Sequence, residues 1–222
     1  MLLCGFVASS HSAVVTWDGG GDGVNWSDPI NWSGNVVPTS ADDVVLGAGA
    51  AVIISGINPT VLSVQSQRPL SITSGSLGVT AGSSEVKGAL TLSLGTSLAV
   101  NGSGAVFICT NSVNADGVWL QVNNGGRLSL PGLRSFSKTD GCYNVAWRAY
   151  DASSMIDLSG VTNLYGGNCG GMLIEAYNGG NIILSNLVMF NGTGYASAYA
   201  DGAGAVVDLR KLASYTNTVD YL

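Results

Sequence analysis

The chain is poor in charge. Only 10% of its 222 residues are Asp, Glu, Lys or Arg, against roughly 25% in an ordinary soluble domain. Its eight Lys and Arg are scattered, and the formal net charge is −6. A nucleic-acid partner needs clustered cations against its phosphates, so that class is excluded. Histidine occurs once, at His11, and Cys4, Cys109, Cys142 and Cys169 show no Cys-x-x-Cys spacing. A zinc site therefore lacks a ligand set. Long apolar runs are missing too, and none approaches the ~20 residues of a membrane helix. The surface must then be built from Ser, Thr, Asn and many of the 32 glycines, as in many extracellular proteins. The length suits one domain, or one large all-β domain.

What is present begins with "MLLCGFVASSHSA", residues 1–13. A short apolar run followed by small residues reads as a secretory leader, cut near Ser12 or Ala13 and shortened at its start. Export to the outside of the cell or to its surface is the expectation. Leu2-Leu3-Cys4-Gly5 has the look of a lipidation site, but the apolar segment before Cys4 is too short for one.

Self-similarity dominates the second half. "GGRLSLPGL" (125–133), "SSMIDLSGV" (153–161), "GGNIILSNL" (179–187) and "GAVVDLRKL" (204–212) align on Leu130, Leu158, Leu184 and Leu209, at steps of 28, 26 and 25 residues. "VWLQVNN", "VAWRAYD", "MLIEAYN" and "GYASAYA", which start at 118, 145, 172 and 194, align as alternating strands. Period two is the strand signature. In the first half "LSI" (70–72) returns as "LTL" (90–92), "LGV" (77–79) as "LAV" (98–100) and "EVK" (85–87) as "VFI" (106–108). Three short strands per period of 20–28 residues describe a three-sided coil. One coil cannot bury its apolar side alone, so coils stack about 4.8 Å apart around a shared core. The expected fold is all-β, a right-handed parallel β-helix over 44–222 that is cut short at its C-terminal end. A leucine-rich repeat would need a helical half, and a sandwich would need antiparallel hairpins.

A stack of coils has open ends that natural solenoids cover. Residues 14–43 precede the first coil, and Trp17, Trp26 and Trp32 suit an N-terminal cap, since each buries a large area. Within this cap "GGGDG" lacks the Gly-Lys-Ser/Thr of a phosphate loop. Asp18, Asp22 and Asp28 offer oxygen ligands for calcium, the one cofactor considered, but their spacing is not that of an EF-hand.

The same segment carries a resemblance. Trp-Asp-Gly-Gly-Gly-Asp-Gly, Asn-Trp, Asp-Pro, Asn-Trp-Ser-Gly, Pro and an Asp-Asp-Val run look like the start of large secreted bacterial β-helix proteins. These are autotransporter-like or anchored at the cell envelope, and adhesin-like. The match covers about 35 residues; the remainder agrees in repeat character only. It implies an extracellular adhesive β-helix that is part of a longer polypeptide, and it implies no activity. No membrane barrel or sorting helix occurs before Leu222, which departs from that family.

Function would sit on the outward columns. One is expected to read Gln121, Arg148, Glu175, Ser197 and the next Asn123, Tyr150, Tyr177, Tyr199, flanked by Trp119 and Tyr195. Arg148 would pair with Glu175, and the tyrosines would form a ladder on which sugar rings of a polysaccharide or cell-surface glycan stack. The plainer alternative is that like residues only hold rungs together. Polysaccharide lyases and glycoside hydrolases also use this fold, through a base or paired carboxylates. The acids available are Asp157 with Asp208, a whole coil apart at about 10 Å, and Asp116 with Asp140 in loops. Neither set has a nearby Lys or His for acid–base work, so binding is expected before catalysis. A passive spacer is the third possibility. Cys142 and Cys169 stand one coil apart, within disulfide range, which leaves Cys109 buried and single.

Overall fold

The computed structural model describes residues 13–139, 141–192 and 194–217. Of the leader expected over 1–13, only Ala13 falls inside these limits. The described chain is all-β, with parallel strands stacked as a β-solenoid of about seven turns.

Three faces surround the core. The longest is a nine-stranded sheet that runs from Ala13–Thr16 and Asp42–Leu46 at one end to Asn181–Ile183 and Val206–Asp208 at the other. The widest has seven strands, from Thr60–Val61 through Trp119–Asn123, Val145–Tyr150 and Gly171–Tyr177 to Tyr195–Asp201. The third is divided. Val52–Ile54, Leu70–Ile72, Leu90–Leu92 and Val113–Ala115 form one four-stranded sheet, while Ser135–Ser137, Asn163–Tyr165, Met189–Gly192 and Ser214–Asn217 form another. A single bridge, Asp116 to Ser137, joins them.

The core follows from period-two alternation. On the wide face Leu77, Leu98, Leu120, Trp147 and Ile174 lie in one register column and are buried. Leu128, Ile156 and Ile182 do the same on the long face. Each side chain packs on the equivalent one above and below, and this neighbour contact sustains a solenoid. The later coils are longer and carry larger inward side chains. Trp147 is one of these, edge-on to Phe136 at 4.7 Å, with its Nε1 donating to the Val118 carbonyl at 3.2 Å. Corners after the wide-face strands need left-handed backbone, which Asn and Asp tolerate best among residues with a Cβ. Asn124, Asp151 and Asn178 supply it, with φ of 54°, 73° and 50°.

Two expected alignments are corrected. Val106–Ile108 pairs with Ser83–Glu85, not with 85–87. The strand at Tyr195–Asp201 sets Ala196 opposite Met172, so Tyr199 faces Glu175 and Asp201 faces Tyr177. Both slips are two residues. A shift of two keeps every side chain on its own side of the sheet, so alternation alone does not oppose it.

The segment over 14–43 lies on the first coil and joins its hydrogen bonding. Ala13–Thr16 is already a strand, paired with 42–45, and the next coil strand begins at Asp42 rather than after 43. The Trp26 N–H donates to the Ile53 carbonyl at 2.9 Å. Trp26 and Trp32 are fully buried and Trp17 nearly so. The ring of Trp32 meets Trp17 and Trp26 at 4.9 and 4.7 Å.

Asn31 knits the loop beneath these rings. Its Oδ1 accepts from the backbone N–H of Gly21 (3.1 Å) and Gly23 (2.8 Å). Its Nδ2 donates to the Asp22 carboxylate (2.8 Å) and the Asn25 carbonyl (3.0 Å). Replacing this buried amide strands several polar groups, at about 1–3 kcal/mol each. Asn31→Ala is therefore expected to lower stability by about 2–3 kcal/mol, and Trp32→Ala by about 3–5 kcal/mol, both read from the denaturant midpoint. Unchanged midpoints would mean that the segment does not seal the core.

Candidate functional site

The wide face carries the aromatic and charged side chains expected there, in a changed arrangement. Arg148 and Glu175 are register neighbours and form an ion pair at 2.6 Å. Arg148 also lies over the Trp119 ring, 5.8 Å from its centroid. Burial opposes its charge, but the hydrogen bond and attraction of Glu175 outweigh that and hold the guanidinium above its ordinary value. The outward column reads Gln121, Arg148, Glu175, Tyr199, so Ser197 is not part of it.

Tyr150 and Tyr177 are in register and stack at 5.1 Å with their planes 9° apart. Rings this close cannot both lie flat on the sheet, so their faces are turned largely toward each other. Burial, and then the nearby Glu175, raises the Tyr177 phenol above its usual value. Tyr199 sits diagonally, 5.9 Å from Tyr177 and tilted by 58°, and is half exposed. Tyr195 is exposed at the start of the same strand. The face available to a ligand is therefore at the Tyr199 and Tyr195 end, with the Tyr150–Tyr177 stack as its support.

The acids have other partners. Asp157 and Asp208 share a long-face column with Ile183 between them. Asp157 accepts from Ser129 Oγ (3.3 Å) and the Ser159 N–H (3.0 Å), and Asp208 pairs with Arg210 at 2.6 Å. Asp116 accepts from the N–H of Thr139 (2.8 Å) and from its hydroxyl. Asp140 lies outside the described residues.

In the cap, Asp18 accepts from the Gly20 N–H and Asp28 from those of Asp22 and Ile30. Asp22 accepts from the N–H groups of Asn25 and Val24 and from the amides of Asn31 and Asn25. These donors hold its carboxyl well below the usual range, the Asn25 N–H first among them. The three carboxylates thus close turns, and no group of three or more metal-binding side chains occurs among the described residues.

Cys142 and Cys169 are joined by a disulfide, with Cα atoms 4.5 Å apart and a sequence separation of 27. Beside it lies Lys138, which gave no signal in the sequence. It is buried, its ammonium donates to the carbonyls of Gly141 and Cys169, and it stands 5.2 Å from the Tyr143 ring centroid. Cys109 is free and buried.

Comparison with protein families, curated proteins and solved structures returns no match for this chain.

Three outcomes are expected. Burial pushes the Cys109 thiol up to about 11, so a disulfide reagent at neutral pH should label it only after unfolding; prompt labelling of native protein would contradict its burial. Reducing Cys142–Cys169, which closes a loop with a sequence separation of 27, should cost about 3.5 kcal/mol in a denaturation curve. Asp22 has a depressed carboxyl, so its contribution to the cap is complete above the ordinary carboxylate range near pH ~4 and is lost as pH falls below it. Asp22→Asn should flatten that acid limb of a melting-temperature profile, and an unchanged limb would remove Asp22 from the account.

Proposed function

We propose that this chain is the extracellular β-helix of a bacterial surface protein, with a structural and adhesive role, and that its wide face touches glycans. The carrying observation is the outward group of Tyr150, Tyr177, Tyr199 and Tyr195 beside the Arg148–Glu175 pair on one parallel sheet. Aromatic side chains with a polar tip suit contacts that are apolar at one end and wet at the other. Low charge over the whole chain, a disulfide, which persists in oxidising compartments, and the resemblance of the Trp-rich segment support export and display.

One observation favours the passive-spacer reading. The Tyr150 and Tyr177 rings face each other, as rung-holding pairs do. Affinity gels containing plant and algal polysaccharides separate the two, with a product assay on the same samples. The adhesive reading expects retardation without released sugar, weakened about tenfold, or 1.4 kcal/mol, by Tyr199→Ala and by Tyr177→Ala. Absence of retardation by every polymer would leave the spacer. Released oligosaccharide or unsaturated uronate would make this a polysaccharide-active enzyme, with Asp116, Asp157 and Asp208 the first residues to replace.

A further inference from the structure

The division of the third face leaves a trough that the tyrosine site does not use. Two adjoining hollows of about 360 and 290 Å³ share Thr91 and Asn114, which are register neighbours. The larger also takes in Ser93, Leu94, Asp116 and Ser137. The trough therefore follows Leu90–Leu92 and Val113–Ala115, at the place where the next coil pairs with Val113–Ala115's sheet only through the Asp116–Ser137 bridge.

The connection that follows Ser137 is tied down near the trough. Residues 138–144 connect Ser135–Ser137 to Val145–Tyr150, whereas 116–118 suffice for the coil before. This longer connection is clamped at several points. Thr139 is bound to Asp116, Cys142 is bonded to Cys169, and Lys138 is anchored on the Gly141 and Cys169 carbonyls. The Tyr143 hydroxyl lies over the corner at Gly117, where an added Cβ would stand 3.3 Å from it.

The floor has a definite chemistry. Among the described residues, the side chains of Thr91, Ser93, Asn114 and Ser137 make no hydrogen bond to another residue. Their hydroxyls and amide are uncommitted donors and acceptors. Some hydroxyls elsewhere on the coils are tied down, as in Ser55 with Ser74 and Ser63 with Asp43. Asp116, the one charged side chain here, is already bound by Thr139. A charged polymer thus meets no counter-charge, while a chain of sugar hydroxyls meets matching neutral partners, the pattern of a site with a few placed polar groups.

We propose that this trough is a second binding site, and that it takes an uncharged polysaccharide chain. The assignment is independent of the tyrosine group.

The test uses affinity gels of hydroxyethyl cellulose, galactomannan and dextran, with polygalacturonate as the acidic comparison. Wild type, Thr91→Val/Asn114→Ala and Asn114→Trp are compared, each checked for an unchanged melting curve. The double variant removes the hydrogen-bonding groups while nearly keeping shape, and the Trp variant fills the space. Thr91 and Asn114 point outward and brace nothing, so both variants should fold. The expected result is retardation of wild type by at least one neutral polymer, at least tenfold weaker in both trough variants, with polygalacturonate weaker throughout. The proposal falls if no neutral polymer retards wild type, if the trough variants behave as wild type, or if polygalacturonate binds as well as the neutral chains.

Discussion

Stacking of like on like along the solenoid axis is the constraint on which everything else depends. A single coil has three short strands and one thin layer of apolar side chains, too little to exclude water from both sides. Only when the next coil repeats the layer in register does each leucine or valine lose its solvent, at about 25 cal/mol per Å² of apolar surface. The buried columns, such as Leu98–Leu120–Trp147–Ile174, are the physical form of that demand. The Trp-rich segment meets the same demand at the end of the described stack, where its tryptophans share one buried core with Val44 and Val52.

The constraint also decides where variety is permitted. Inward positions must match from coil to coil, so chemistry is confined to outward columns and corners. Outward positions gather Tyr150, Tyr177, Tyr199, Arg148 and Glu175 on the wide face. They gather neutral hydroxyl and amide groups on the third. Length can change only at a corner, and the connection over 138–144 does so. The extra residues follow the strand at which the third sheet divides, and Lys138 and the disulfide tie them to the next coil.

Much of the fold was legible. Repeated Leu-x-Leu units and alternation place the buried side chains correctly on both the wide and the long face. The Tyr150–Tyr177 and Arg148–Glu175 neighbours follow from the same alignment. Legibility fails where the pattern is degenerate. "GYASAYA" fits its neighbour nearly as well when slid by two residues, since Gly, Ala and Ser mark no position strongly. Alternation alone therefore sets Tyr199 opposite Tyr177, whereas the structure sets it opposite Glu175. The cap was readable as a cover from its tryptophans, but not in its internal bonding, since Asn31 reads as an ordinary loop residue. Lys138 was invisible for the opposite reason: lysine among Ser and Thr reads as surface, and its burial depends on the carbonyls of nearby Gly141 and of Cys169 on the next coil. The trough has no sequence mark, because it arises from a pairing that is not made.

The register of the last wide-face strand tests the account most directly, since both the stacking argument and the layout of the tyrosine face depend on it. Two paired-cysteine variants, Glu175→Cys/Tyr199→Cys and Tyr177→Cys/Tyr199→Cys, would be oxidised and their cross-links mapped by mass spectrometry. Register neighbours on adjacent coils stand about 4.8 Å apart, inside the disulfide range, and a two-residue offset moves them beyond about 7 Å, outside it. The account predicts cross-linking of 175 with 199 and little of 177 with 199. The reverse result would contradict it and restore the alignment in which the three tyrosines form one straight ladder.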